Sequence, residues 1–208
     1  MKNRNLTLLT DYYELTMMYG YFKKQMTKTR SVFDLFFRAN SESNYCIAAG
    51  LEQAVQYIEN LRFEKEQLDY LRSTKDFDED FLAYLENFRF SGDIYALEEG
   101  TVVFPGEPLM IVKAPIIEAQ LMESALLNIV NFQTLIATKA SRVAYVAQPG
   151  QVSEFGLRRA QGPDAGIYGA RAAMIGGCQA TSNVLTGQLF GVPVGGTHAH
   201  SWVMSFPD

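Results

Sequence analysis

The segment VSEFGLRRAQGPDAGIYGARAAMIGGCQATSNVLTGQLFGVPVGGTHAHSWVMSF, residues 152–206, carries the clearest architectural signal in the chain. Short strand-like pieces alternate in it with helical ones: VSEFGLR (152–158), a helix over 165–176, SNVLTGQLFG (182–191), then GTHAHSWVMSF (196–206) as a last strand. Such alternation predicts parallel pairing, because each helix carries the chain back to the same end of the sheet. Two or three such units cannot close a parallel barrel. The expectation is therefore an α/β chain holding the opening of a barrel that stops, incomplete, at Asp208.

Upstream the pattern changes. EAQLMESALLNIVNFQTLIATKASRVAYV, from 118 to about 145, predicts one long helix ended before Pro149 and Gly150. Between 93 and 117, β-rich runs broken at Glu98-Glu99-Gly100 and at PGEP (105–108) predict a small antiparallel region. Phe33, Leu35 and Phe37 alternate with Val32, Asp34, Phe36 and Arg38, which predicts a strand over 31–38. A helix is expected at about 11–26, where Asp11 and Glu14 have capping spacing and Leu15, Met18, Tyr19, Phe22 and Met26 recur at helical intervals. Further helices are expected at about 50–61, with Leu51, Ala54, Val55, Ile58 and Leu61 on one face, and near 65–73 and 79–88. The division that follows is an N-terminal α/β domain over 1–117 and the start of a βα barrel over 118–208.

The 208 residues are 48% hydrophobic, enough to bury a sizeable core. No stretch approaches the ~18–20 uninterrupted apolar residues of a membrane span, and the opening MKNRNLTLLTDYY lacks a hydrophobic run of secretory type. A cytoplasmic location without a membrane partner is the expectation. A net charge of −5, with no basic run interleaved with aromatics, argues against a nucleic-acid surface. Cys46 and Cys178 lack ligand or CxxC spacing, so both are expected to be reduced, buried thiols outside any disulfide or zinc site. Acid concentrates over 42–99, whereas Lys139, Arg142, Arg158, Arg159 and Arg171 make the second half the cationic one.

Both histidines of the chain fall in Gly195-Gly196-Thr197-His198-Ala199-His200-Ser201-Trp202. On a strand, residues two apart face one side, so His198 and His200 are expected to project together. The glycines before them allow the backbone to approach a ligand. Three readings stay open on the residues alone: a catalytic imidazole, two ordinary histidines near a strand end, or a pair sharing a divalent ion. The last needs carboxylates from Glu154, Asp164 or Asp208, and no metal ligand is assigned. Arg158 and Arg159 are expected to end a strand just before a Gly/Pro loop that opens a helix. There, guanidinium groups and helix N-terminal amides bind a carboxylate or phosphate. An ion pair with Glu154 is the structural alternative. Tyr12 and Tyr13, beside Asp11, offer a ring to stack on an aromatic substrate or to pack in the core.

Taken in order, TDYYELTMMYGYF, FDLFFR, AAGLEQAV, NFQTLIATKASR, EFGLRRAQGPDAG and SNVLTGQLFGVPVGGTHAHSW resemble nicotinate phosphoribosyltransferases over almost the whole chain. The resemblance implies an α+β N-terminal domain joined to an irregular βα barrel, with active sites at a homodimer interface. It implies that nicotinate and phosphoribosyl pyrophosphate give nicotinate mononucleotide and pyrophosphate, coupled to hydrolysis of ATP with Mg²⁺, on the salvage route to NAD. No tightly bound prosthetic group is implied. Position by position, His200 matches the phosphorylated histidine of the family's GTxAHS block, and Thr197 the threonine that contacts nicotinate. Tyr13 matches the aromatic that stacks on the ring, and Arg158 and Arg159 the arginine pair of GLRR, near the substrate carboxylate or a phosphate. His198 fills a variable position, and Tyr12 stands where the family often has leucine. Family members are longer, and the resemblance assigns the acidic partner of the imidazole, a second arginine facing nicotinate and the main phosphate cradle to positions beyond Asp208. The competing expectations are a non-catalytic fragment that binds through an exposed barrel edge, and a metal-dependent hydrolase built on the HxH pair.

Overall fold

The computed structural model describes residues 4–38 and 44–207. The chain forms two compact units, one running to Phe132 and the other from Gln133. The change of pattern at 117/118 marks the start of a long helix.

The first unit contains α1 (Tyr12–Lys23), β1 (Arg30–Phe36), β2 (Cys46–Ile47), α2 (Leu51–Glu59), α3 (Lys65–Thr74), α4 (Glu79–Glu86), β3 (Asp93–Ala96), β4 (Val102–Val103) and β5 (Pro108–Pro115), then enters α5 (Ile116–Ala147). In its main sheet β5 lies between β1 and β3, antiparallel to both, with Phe33 opposite Val112 and Leu35 opposite Met110. Phe33, Leu35 and Phe37 face the core while Val32 and Phe36 stay exposed, so the alternation in 31–38 translates directly into the two faces of β1.

Helices α1 and α4 meet through aromatic rings. Phe81 is fully buried, with ring centroids of Tyr19, Phe22 and Phe77 at 5.2, 5.4 and 5.6 Å. Asp78 caps α4 by accepting from the Phe81 amide at 3.0 Å. Helix α2 is capped from a distant turn instead, where Glu99 Oε1 accepts from the amides of Gly50 (2.6 Å) and Leu51 (3.1 Å). The capping reading of Asp11 and Glu14 needs correction: Asp11 is the residue before α1, but its side chain makes no cap bond, and Glu14 is buried. Cys46 is buried as expected, whereas Cys178 is only half-buried; both are free thiols.

The second unit holds the rest of α5, β6 (Ser153–Glu154), a 3₁₀ turn (Leu157–Arg159), α6 (Pro163–Ile175), β7 (Ala180–Thr181), α7 (Val184–Phe190) and α8 (His200–Met204). Strands β6 and β7 are parallel, Glu154 opposite Thr181, and a single parallel bridge joins Thr181 to Val194. Strands and helices thus alternate with parallel pairing, but β7 and the bridged Val194 fall outside the expected strand pieces.

Three segments differ from expectation. VSEFGLR is extended only at Ser153 and Glu154, because Glu154 Oε1 accepts from the Gly156 amide and curls the chain into the 3₁₀ turn. GTHAHSWVMSF is not a strand: pairing ends at Val194, Gly195 and Gly196 have no side chain to pack against a sheet, and α8 follows. SNVLTGQLFG is helical after Asn183, whose Oδ1 accepts from Thr186 N at 3.3 Å. Asp208, where the last strand was expected to stop, lies outside the described residues. Gly176 is a packing requirement, since a Cβ there would sit 2.3 Å from the Ala137 carbonyl oxygen of α5.

Candidate active site

Parallel strands present their C-terminal ends at one edge of the sheet, which is where α/β folds bind ligands. In the second unit three segments leave that edge. After β6 comes the 3₁₀ turn with Arg158 and Arg159, after β7 comes Asn183, and after Val194 come Thr197, His198 and His200. Four of the five expected site residues therefore belong to loops leaving one edge of a small parallel sheet.

The foundation of that edge is a buried polar network. Thr181 Oγ1 donates to Glu154 Oε2 at 2.7 Å and accepts from the Asn183 amide at 3.0 Å. Asn183 Nδ2 donates to the Gly166 carbonyl of α6 at 3.0 Å, and Thr186 Oγ1 to the Ile167 carbonyl at 3.3 Å. Thr181, Asn183 and Thr186 are all buried, so these bonds hold α6 and α7 to the strands with no polar atom wasted.

Above this foundation the expected groups are open to solvent. Arg158, Arg159, Thr197, His198 and His200 are all exposed. Glu154 is engaged by Thr181 and Gly156, and among the described residues no salt bridge reaches Arg158 or Arg159, so the expected ion-pair alternative is absent there. Both arginines sit in the 3₁₀ turn rather than at a strand end, just before the Gly162-Pro163 entry to α6. His198 lies in coil and His200 begins α8, so the two do not share a strand face. Among the described residues no three His, Cys, Asp or Glu side chains are grouped as a metal site. Asp208, one of the carboxylates that reading needed, lies outside the described residues.

Tyr13 belongs to the first unit, on α1. Its ring is 46% exposed, and its hydroxyl donates to Glu123 Oε1 on α5 at 3.0 Å. Partial burial, then that bond, pushes the phenol up to about 12, so it stays a donor. Tyr12 is exposed too, with its ring 6.3 Å from Phe77. Beneath Tyr13 lies a set of polar groups that sequence reasoning missed. Ser124 Oγ is 2.5 Å from Asp11 Oδ2 and 2.9 Å from Glu14 Oε1, and Ser124 N donates to Glu14 Oε1 at 3.0 Å. The available signal was the run of polar residues Gln120, Glu123 and Ser124 in the first turns of α5.

The second unit is thus a short parallel strand–helix repeat of the α/β class, with exposed polar and cationic groups on the segments that leave one strand end. Residues 8–131 match the family described as nicotinate phosphoribosyltransferase (NAPRTase) N-terminal domain, and the chain belongs to that family. It is 48% identical over 208 residues to a nicotinate phosphoribosyltransferase of Bacillus subtilis (strain 168), covering 100% of this chain and 42% of that protein. It is 43% identical to nicotinate phosphoribosyltransferase 1 of Arabidopsis thaliana, covering 96% of this chain and 36% of that one. The crystal structure of human nicotinic acid phosphoribosyltransferase superposes with a TM-score of 0.87 at 40% identity, over 95% of this chain and 40% of the human one. The chain thus spans less than half the length of these relatives.

Proposed function

We propose that the chain supplies the N-terminal part of a nicotinate phosphoribosyltransferase acting in cytoplasmic NAD salvage. It joins nicotinate to phosphoribosyl pyrophosphate, with coupled ATP hydrolysis, and works as a homodimer. The observation that carries this reading is the exit of Arg158, Arg159, Thr197 and His200 from one strand edge, in a chain collinear with such enzymes over its whole length.

In this reading the exposed imidazole of His200 attacks the γ-phosphorus of MgATP. The N–P bond forms as the bond to the β-phosphate oxygen breaks, ADP leaves, and the phosphoryl group later passes to water. Mg²⁺ arrives with the nucleotide and neutralises phosphate charge. The phosphorylated ring adds negative charge beside the donor site and so alternates its affinity. Thr197 contacts nicotinate, Tyr13 stacks on the ring, and Arg158 or Arg159 pairs with its carboxylate or with a phosphate. The pyridine nitrogen then attacks the ribose carbon as pyrophosphate departs, with the protein chiefly positioning both partners.

The test is incubation with γ-labelled ATP and Mg²⁺, in this chain and in a version extended by the C-terminal region of a relative, with nicotinate mononucleotide measured alongside. Label and product that vanish in His200→Ala and persist in His198→Ala support the assignment. Product formation that survives His200→Ala refutes the phosphohistidine role. A second reading, a non-catalytic binding module, is favoured by one observation: Val184, Leu189, Val194, Trp202 and Met204 of the second unit are 50–81% exposed. Self-association without label or product in either version would select it.

A further inference from the structure

We propose that Glu14 is held protonated inside the first unit and, as a neutral donor to Thr10, is the positioning residue that fixes Asp11 and Tyr13 at the start of α1 against α5. Thr10 Oγ1 lies 3.1 Å from the Leu121 carbonyl oxygen and is also hydrogen-bonded to Glu14 Oε2. A carbonyl only accepts and a hydroxyl has one hydrogen, so Thr10 can serve Leu121 and Glu14 together only when one of the two contacts takes its hydrogen from Glu14. The contact between Thr10 and Glu14 then needs its hydrogen from the carboxyl.

The other oxygen is accounted for in the same way. Glu14 Oε1 accepts from the Ser124 amide at 3.0 Å and lies 2.9 Å from the Ser124 hydroxyl, whose single hydrogen is shared with the exposed Asp11 carboxylate at 2.5 Å. With one proton on Oε2, a chain runs from Glu14 to Thr10 to Leu121 and every donor has an acceptor. Without it, the single Thr10 hydrogen serves only one of its two neighbours, beside a charge that is 0% exposed.

The titratable groups facing Glu14 are Asp11 before α1, Tyr13 on α1, Glu123 on α5 and Tyr57 on α2. All are acids, and among the described residues no salt bridge reaches Glu14. Burial, reinforced by Glu123 and Asp11 and opposed by the Ser124 bonds, pushes its carboxyl up to about 7. The buried, unpartnered Tyr57 hydroxyl is likewise kept neutral, mainly by burial.

A carboxyl raised from 4.5 to about 7 in the folded state holds a proton there that the unfolded chain has released, so stability falls as pH rises through that window. The folding equilibrium constant is expected to drop about tenfold per pH unit between about pH 5 and 7 and then level off. Denaturant unfolding of the 208-residue chain as a function of pH, in the parent, Glu14→Gln and Glu14→Ala, reads this directly. Glu14→Gln keeps the shape and a neutral donor. It is expected to flatten the profile and to match or exceed the parent at pH 7, whereas Glu14→Ala loses stability at every pH.

A fluorotyrosine signal at position 13 is expected to move with the same midpoint in the parent and to stay fixed in Glu14→Gln. An unchanged slope in Glu14→Gln, or a Glu14→Gln protein as damaged as Glu14→Ala or unable to fold, overturns the proposal. The part assigned to Tyr13 in substrate binding rests on the proposed function, but these readouts do not. Failure of His200 labelling with the slope difference intact removes only the functional reading, and loss of the slope difference removes only this one.

Discussion

The two units of the chain bury their residues by opposite means. The first is organised by large apolar side chains: Phe81, Met18, Leu82, Leu85, Leu121 and Met122 are all within 1% of complete burial. The buried residues of the second are small or polar, Ala137, Ala170, Ala172, Ala173, Thr181, Asn183 and Thr186, and its strands are only two residues long. Large rings hold a unit through area removed from water, which is tolerant of direction. Small residues and buried hydrogen bonds hold it through close approach and fixed geometry, which tolerate little change. The expected reactive groups occur on the second kind of framework, where exact placement of strand ends matters more than bulk.

That contrast can be broken at three points. Phe81→Ala removes the ring shared by Tyr19, Phe22 and Phe77 and is expected to cost about 3–5 kcal/mol in chemical denaturation. A smaller loss than that of either substitution below would show that the rings are not what organises the first unit. Gly176→Ala drives a methyl to 2.3 Å from the Ala137 carbonyl oxygen and 2.7 Å from Ala140 Cβ, in a backbone that cannot swing aside. An effect of about 1–3 kcal/mol is expected. Faster amide exchange in α6, with exchange in α1 and α4 unchanged, would locate it in the second unit. Asn183→Ala takes away the α7 cap and the bond to the Gly166 carbonyl, for about 1–2 kcal/mol. Exchange at the start of α7 should report it, and an unaltered rate there would mean the polar network is dispensable.

Much of this was legible in the residues. The alternation through Phe33, Leu35 and Phe37 gave β1 its inward face, and the uninterrupted pattern after residue 117 became most of α5. The strand–helix alternation after residue 150 correctly implied parallel pairing. The candidates Tyr13, Arg158, Arg159, Thr197 and His200 came from ordered motifs, and four of them leave one strand edge. The errors share a cause. GTHAHSWVMSF has strand-like composition, yet the pairing with Thr181 runs only from Pro193 to Gly195, before that segment begins. Glu14 has capping spacing within its own segment, but Ser124, 110 positions away, and Thr10 claim its carboxyl.

By itself the sequence determined most of the helices, the β1 strand and which side chains were chemically worth following, because periodicity, turn residues and motif order are local properties of the chain. Only the tertiary structure decided where each strand stops, that Arg158 and Arg159 ride a 3₁₀ turn, and that Glu14 faces acids instead of an amide cap. Strand pairing, burial and the proton count around a carboxyl depend on partners far along the chain, whose approach no local pattern records.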